Sequence, residues 1–136
     1  IIALKEIISS KTSIIIENHY LGSVISTGQF DTFYHEHPRT YSLQSFVYIA
    51  SKLGVNIIDV EFPRRYGGNI RVHLSSSNNN IISKAELDHL IGKEKKIISE
   101  SRDWSDRINQ WKKETNESLN TLAQNNNKLF LIRSGF

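Results

Sequence analysis

The sequence has no cysteine and no methionine, and it contains only 2 proline and 7 glycine residues in 136 positions. Without cysteine the chain forms no disulfide and cannot hold zinc through thiolates. It also lacks the run of about eighteen apolar residues that a membrane-spanning helix needs. Lys and Arg total 17 against 14 Asp and Glu, with no basic block of the kind that nucleic-acid-binding proteins show. These absences predict a soluble, cytoplasmic protein without a membrane or nucleic-acid partner.

The two ends of the chain lack the usual landmarks. No methionine stands at position 1, and no charged leader or signal-cleavage pattern precedes the first apolar residues. Residues 128–136 open with an apolar run that is typical of the start of a strand. With 38% hydrophobic residues the chain can fold around one modest core. The ends predict that it is an internal fragment of a longer protein.

The most chemically dense stretch of the sequence is Tyr34, His35, Glu36 and His37. It combines two imidazoles, a carboxylate and a phenol in four consecutive residues. Pro38 follows, and it pushes His37 towards an extended conformation, so the stretch should lie on a loop rather than inside a helix. Rigid loops that carry titratable groups are frequent places for binding and catalytic sites.

A buried strand is predicted before this stretch. The consecutive isoleucines of residues 13–17 lack polar alternation, which favours a strand buried on both faces, as in a parallel sheet covered by helices. Glu17 and His19 would then emerge at the carboxyl end of that strand. Open α/β sheets bind their ligands at that end.

After the stretch, residues 42–53 carry apolar side chains at intervals of three and four and should form a helix that ends at Gly54. Residues 55–62 are rich in β-branched side chains, and residues 69–74 alternate cleanly between apolar and polar. Both segments are predicted strands. Because Pro63 ends the first strand and two glycines precede the second, we expect an antiparallel hairpin.

The second half of the chain is predicted to be helical. Residues 75–80 (Ser-Ser-Ser-Asn-Asn-Asn) are polar and of low complexity, which predicts a linker at 76–82 between residues 1–75 and a helical segment at 83–127. Ser83 and Glu86 have the spacing of a capping box. The charged side chains of this segment should cover its outer face. Residues 128–136 would begin a further, truncated domain.

Two motifs carry a resemblance to a known family. Residues 30–37 (Phe-Asp-Thr-Phe-Tyr-His-Glu-His) and 65–72 (Arg-Tyr-Gly-Gly-Asn-Ile-Arg-Val) resemble the paired signatures of the S-adenosylmethionine-dependent sugar C-methyltransferase family. The resemblance implies an α/β fold: the second half of a Rossmann-like class I methyltransferase sheet, ending in an antiparallel hairpin and followed by a long helical segment. It also implies an enzyme with S-adenosylmethionine as cofactor and a nucleotide-linked keto-deoxysugar as substrate.

Three residues match the catalytic pattern of that family. The resemblance implies that His37 removes a proton from the carbon beside the ketone, that Glu36 orients the imidazole, and that Tyr34 stabilises the enolate oxygen. Imidazole suits the first step because much of it is neutral, and therefore basic, at neutral pH. The enolate carbon then attacks the sulfonium methyl group.

The hairpin is the predicted substrate-binding element. Its candidate residues are Arg65, Tyr66, Gly67, Gly68, Asn69 and Arg71, and Glu17, His19 and His35 could line the same site. Arginine is well shaped to grip a diphosphate, although Arg71 could instead pair with Glu61 across the hairpin. The chain departs from the family in having Tyr66 where a histidine is frequent. It also lacks the family's cysteine-rich zinc domain and its glycine-rich loop, so most of the cofactor site would lie outside it.

Two other functions remain open at this stage. His35 and His37 would face the same way on an extended segment, and His19 or Glu36 could complete a three-ligand metal site. Alternatively, the arginine-bearing hairpin could belong to a sugar-nucleotide-binding module without catalysis. The sequence does not predict which sugar, which nucleotide or which oligomeric state applies.

Overall fold

The computed structural model describes residues 2–33 and 39–124, without the side chains of Ile2 and Phe30. Its helices are α1 (Ile2–Ile7), α2 (Leu21–Thr27), α3 (Leu43–Leu53), α4 (Lys84–Ser99) and α5 (Trp104–Gln124), and its strands are β1 (Ser13–His19), β2 (Asn56–Glu61) and β3 (Asn69–Ser75). Short 3-10 turns occur at Phe30–Thr32, Arg65–Gly67 and Glu100–Asp103. The chain divides into two compact units, Ile1–Arg102 and Asp103–Phe136.

The three strands form one sheet with the order β1-β3-β2, and β3 is antiparallel to both neighbours. The predicted antiparallel hairpin is therefore confirmed as β2 and β3. Strands β1 and β2 run in the same direction, and the connection between them contains α2 and α3. The first unit is thus a mixed α/β fold, and α4 and α5 confirm the long helical segment that follows the hairpin.

One face of the sheet forms the hydrophobic core. The core side chains of β3 are Ile70, Val72 and Leu74, which are at most 1% exposed. Phe46 of α3 packs over them in the same cluster, and α4 contacts both α2 and α3. The clean alternation of β3 in the sequence is confirmed by its burial pattern, because the intervening residues point to the other face.

Helix α3 begins and ends as its sequence predicts. Ser42 is the N-cap and accepts a hydrogen bond from the backbone N–H of Ser45 at 3.1 Å, and the Ser45 side chain completes a capping box. At the other end Gly54 has φ of 72°, a left-handed conformation that glycine adopts without steric cost. Local chemistry therefore sets both ends of this helix.

A β-bulge in β2 decides which face its acidic residues occupy. Ile57 lies opposite Leu74, whereas Asp59 lies opposite His73, so Ile58 is an extra residue. Strict alternation would have pointed Asp59 to the same side as Ile57, into the core. The bulge instead places Asp59 and Glu61 on the polar face, and Val60 between them lies on the core side.

The prediction that β1 is buried on both faces is wrong. Its burial pattern contains no fully buried residue, and Ile15 is 60% exposed. The physical reason is its position: β1 is at the edge of the sheet, and only the core face is covered by helices in the described part of the chain.

Helix α4 belongs to the first unit. Ser83 caps it by accepting a hydrogen bond from the backbone N–H of Glu86 at 3.1 Å. Glu94 of this helix is fully buried, although the sequence suggested that the charges of the segment lie outside. Its carboxylate accepts hydrogen bonds from the backbone N–H groups of Leu43 and Gln44, at the first turn of α3. Residues 76–82, which the sequence assigned to a linker, lie within this same unit.

Helix α5 makes up the described part of the second unit. It contains no buried residue, and Trp111 is half exposed. No helix among the described residues is both long and apolar enough to cross a membrane.

Candidate functional site

The candidate site lies at the carboxyl end of β1, where four chain segments meet. The backbone N–H of Tyr20 donates to the carbonyl of Gly68 in the hairpin, at 3.2 Å. Tyr41 donates its N–H to the carbonyl of His19 at 3.2 Å, and its own carbonyl accepts from Leu21 at 2.9 Å. The end of β1 is therefore bonded to both the hairpin and the segment that precedes α3.

A side-chain contact adds the remaining segment. The Nδ1 atom of His19 lies 3.0 Å from the hydroxyl of Thr32, which is a buried residue. Thr32 and Tyr41 stand on either side of residues 34–38, and both are bonded to His19. The predicted catalytic residues Tyr34, His35, Glu36 and His37 themselves lie outside the described residues.

Glu17 is the centre of the polar network at this end of the sheet. One of its carboxylate oxygens accepts from Arg65 Nε at 2.7 Å and from Asn69 Nδ2 at 2.8 Å, and the other accepts from Arg71 Nε at 2.8 Å. These hydrogen bonds, that of Asn69 foremost, lower the pKa of Glu17 from 4.5 to about 2. The carboxylate is therefore ionised at every physiological pH.

Arg71 joins two carboxylates. Besides its contacts with Glu17, its NH1 atom donates to Glu61 Oε2 at 2.7 Å. The hydrogen bonds to Glu17 raise the pKa of Arg71 further. The ion pair with Glu61 that the sequence offered as the alternative for Arg71 is thus present. A diphosphate would have to compete with two carboxylates for this guanidinium, which weighs against Arg71 as a phosphate-binding residue.

The hairpin loop has an unusual backbone. Tyr66, Gly67 and Gly68 all have positive φ, at 54°, 83° and 117°. For a tyrosine this left-handed conformation costs about 1–2 kcal/mol. Its ring is 68% exposed, and the Arg65 guanidinium lies over it at 5.9 Å from the centroid. An exposed aromatic ring is therefore held at the site on a strained backbone.

The two glycines are required by packing as well as by conformation. A Cβ atom at Gly67 would collide with the side chain of Gln29, and one at Gly68 would collide with the side chain of Ser23. The sequence suggested that these glycines let a ligand approach the backbone. The structure shows that what approaches is α2 and the residues just after it.

Asn69 has a polar atom without a partner in the described part of the chain. Its Nδ2 donates to Glu17, which fixes the orientation of the amide, and its backbone N–H donates to the carbonyl of Pro63 at 2.8 Å. Its Oδ1 accepts no hydrogen bond from any described residue, although Asn69 is only 6% exposed. A buried acceptor without a hydrogen bond lowers the free energy of unfolding by about 1–3 kcal/mol unless a donor reaches it.

The structure therefore brings most of the described site candidates together. Arg65, Asn69 and Arg71 all donate to the carboxylate of Glu17, while His19 lies at the same strand end. Sequence analysis missed Thr32, which binds His19 from thirteen residues away. Thr32 lies within the 30–37 motif, but its contact with His19 could not be predicted because it depends on how the chain returns to the sheet.

Tyr20 and Glu94 are hydrogen-bonded to each other beneath the site, on its buried side. Burial, followed by the nearby Glu94 carboxylate, raises the pKa of the Tyr20 phenol, which is hydrogen-bonded to that carboxylate. Gly22 leaves room for the Tyr20 ring, because a Cβ there would lie 2.5 Å from it. The end of β1 and the first turn of α3 are thus fixed by one buried carboxylate of α4.

Comparison with known proteins adds no assignment. No protein-family model matches the chain, and no curated protein matches it significantly.

Proposed function

We propose that this chain contains the carboxy-terminal part of the methyltransferase domain of a cytoplasmic, S-adenosylmethionine-dependent C-methyltransferase that acts on a nucleotide-linked keto-deoxysugar. The observation that carries the proposal is the convergence at His19 and Tyr20. The flanks of the residue 34–37 motif and the hairpin motif are far apart in sequence, yet both are bonded to the same strand end. A shared site needs such proximity, and two unrelated loops do not.

The topology of the first unit supports a Rossmann-like origin for the sheet. Strands β1 and β2 run in the same direction, and the connection between them contains α2 and α3, which is the helical crossover of α/β folds. Glu17 and His19 stand at the carboxyl end of β1, where sheets of this class place their ligands. Under this proposal further parallel strands would pair with the free edge of β1.

The proposed chemistry assigns one task to each matched side chain. His37 takes the proton from the carbon beside the ketone, Glu36 holds the imidazole and stabilises its charged form, and Tyr34 donates to the enolate oxygen. When bound, S-adenosylmethionine supplies the methyl group that the enolate carbon takes up. Most of the residues that hold this cofactor would come from the part of the protein that precedes this chain.

The hairpin would position the sugar. The exposed ring of Tyr66 can pack on a sugar or nucleobase face, and the buried Oδ1 of Asn69 would accept a hydrogen bond from a sugar hydroxyl once the hairpin loop moves to expose it. Glu17 would act indirectly, because it holds the Asn69 amide in the orientation that presents Oδ1.

The decisive experiment uses the protein encoded by the complete reading frame that contains this chain. Methyl transfer from labelled S-adenosylmethionine to a nucleotide-linked keto-deoxysugar is followed by mass spectrometry. We expect His37→Ala and Glu36→Ala each to lower kcat by about 10²–10⁴-fold, the usual contribution of a positioned acid or base. His89→Ala, on the exposed surface of α4, is the matched control and should keep wild-type turnover. Near-normal turnover in both site variants would refute the assignment.

A second experiment tests where the cofactor binds. Because the chain has no glycine-rich loop, residues 1–136 alone should give no S-adenosylmethionine binding by titration calorimetry. Saturable micromolar binding to this piece would show that the cofactor site has been misplaced.

A further inference from the structure

Three potential metal ligands lie together on the polar face of the sheet, beside the candidate site. They are Asp59 and Glu61 of β2 and His73 of β3, and one ligand atom from each lies within 4.8 Å of the others. The β-bulge produces this grouping, because it turns both carboxylates from the core side to the face that carries the imidazole. The bulge thus exposes a mixed nitrogen and oxygen ligand set.

The distances suit a divalent transition metal. His73 Nε2 is hydrogen-bonded to Glu61 Oε1 at 3.0 Å, and a bound ion would take the place of the proton that the two atoms share. Two ligands that bind one ion at about 2.1 Å are separated by roughly 3.0 Å in octahedral geometry and roughly 3.4 Å in the tetrahedral geometry that Zn²⁺ favours, so this pair needs only a small adjustment to bind an ion. Asp59 is exposed, so its carboxylate can close on an ion by rotating about its own side-chain bonds. Three protein ligands on an open face leave further positions for water.

Arg71 holds one ligand without using the atom that would bind the metal. Its NH1 atom donates to Oε2 of Glu61, whereas Oε1 is the oxygen that faces His73. Ligand carboxylates in metal sites are characteristically held by such outer hydrogen bonds. The surrounding charge also favours a cation, because Arg71 is shared between Glu17 and Glu61, whereas Asp59 has no ion pair with any described residue.

We propose that Asp59, Glu61 and His73 form a binding site for one divalent transition-metal ion of the Zn²⁺ type. Imidazole with carboxylates suits Zn²⁺, Co²⁺ and Ni²⁺, whereas Mg²⁺ and Ca²⁺ prefer sites made of oxygen alone. The site does not depend on the methyltransferase proposal. It also differs from the metal site that His35 and His37 could form, since it shares no ligand with it.

The test is titration calorimetry of the 136-residue chain with ZnCl₂ and, separately, with MgCl₂. We expect saturable Zn²⁺ binding with one ion per chain and no comparable Mg²⁺ binding. Loss of an outer hydrogen bond to a ligand typically weakens metal binding 10–100-fold, so His73→Gln or Asp59→Asn, which remove a ligand itself, should weaken it at least about tenfold. Wild-type thermal stability should rise with Zn²⁺, because an ion that binds only the folded state stabilises it.

Controls separate this site from others in the chain. His89→Gln removes a histidine from the exposed surface of α4 and should leave Zn²⁺ affinity unchanged. The double variant His35→Gln/His37→Gln should also bind normally. Circular dichroism establishes that each variant is folded, and the exposed position of Asp59 makes Asp59→Asn the safer of the two ligand changes. No Zn²⁺ binding by the wild type, or binding that survives both ligand changes, overturns the proposal, as does binding that is lost only in the double variant.

Discussion

The two faces of β3 differ in burial and in chemistry, although they belong to one strand. On one face Ile70, Val72 and Leu74 are at most 1% exposed and belong to the core. On the other, Arg71 and His73 join carboxylates of both neighbouring strands and remain about 30% exposed. Apolar burial contributes about 25 cal/mol per Å², whereas partly exposed ion pairs contribute about 0–1 kcal/mol each. The fold therefore depends on the first face and leaves the second available for binding.

The largest expected effect tests this division within a single strand. Leu74→Ala should lower the free energy of unfolding by about 2–5 kcal/mol, because it leaves a cavity in a closed core. His73→Ala, the adjacent residue on the polar face, should cost less than about 1 kcal/mol. Equilibrium urea denaturation of both variants measures the contrast. Equal losses would mean that the polar face also stabilises the fold.

Glu94 is the exception to the division, because it is a charge on the buried side. Glu94→Gln should lower the free energy of unfolding by about 1.5–3 kcal/mol, since hydrogen bonds to a buried charged acceptor are lost and the amide brings a donor that needs a partner. The matched control is Glu100→Gln, at the exposed end of α4, which should change stability by less than about 0.5 kcal/mol. If both variants are equally stable by urea denaturation, Glu94 does not anchor α4.

Local patterns predicted the elements whose causes are local. The predicted bounds of α3 are correct to within a residue because Ser42 and Gly54 fix the ends of the helix. The prediction of β3 is correct because the alternation of its apolar and polar residues matches its two faces. The hairpin followed from Pro63 and the paired glycines. In each case the residues that decide the structure lie inside the element or next to it.

Features that depend on distant contacts could not be predicted in this way. The sequence Ile57-Ile58-Asp59 is compatible with either register, and only pairing with β3 shows that a bulge occurs. The burial of Glu94 depends on the N–H groups of α3, about fifty residues earlier. Ile15 is exposed because β1 lies at the edge of the sheet, and the β-branched residues of β1 do not indicate whether the strand is central or at an edge.

Glu17 gives the polar face a characteristic pH dependence. Its folded-state pKa of about 2 is below the ordinary value of 4.5, so the folded state favours the ionised form. The stabilisation is fully present above about pH 4.5 and is lost as the pH falls through 2. The thermal unfolding temperature of the wild type should therefore fall more steeply between pH 4.5 and 2 than that of Glu17→Gln. Parallel curves for the two proteins would contradict the proposed network.

The smallest effect concerns the strained loop, and two tyrosines provide a matched pair. Tyr66 and Tyr48 are both exposed, and each has a cation over its ring, Arg65 at 5.9 Å and Lys52 at 5.2 Å. They differ in backbone: Tyr66 has φ of 54°, whereas Tyr48 lies within α3. Changing either to glycine removes the ring and its cation contact and adds chain entropy to the unfolded state.

Only at position 66 does the change to glycine also relieve an unfavourable conformation. Tyr66→Gly should therefore be less destabilising than Tyr48→Gly by about 1–2 kcal/mol, the cost of the left-handed region for a residue with a Cβ atom. Urea denaturation of both variants measures that difference directly. Equal losses would show that the loop carries no strain. The expected difference would show that a tyrosine is kept where glycine fits better, which is the pattern of a residue retained for binding rather than for stability.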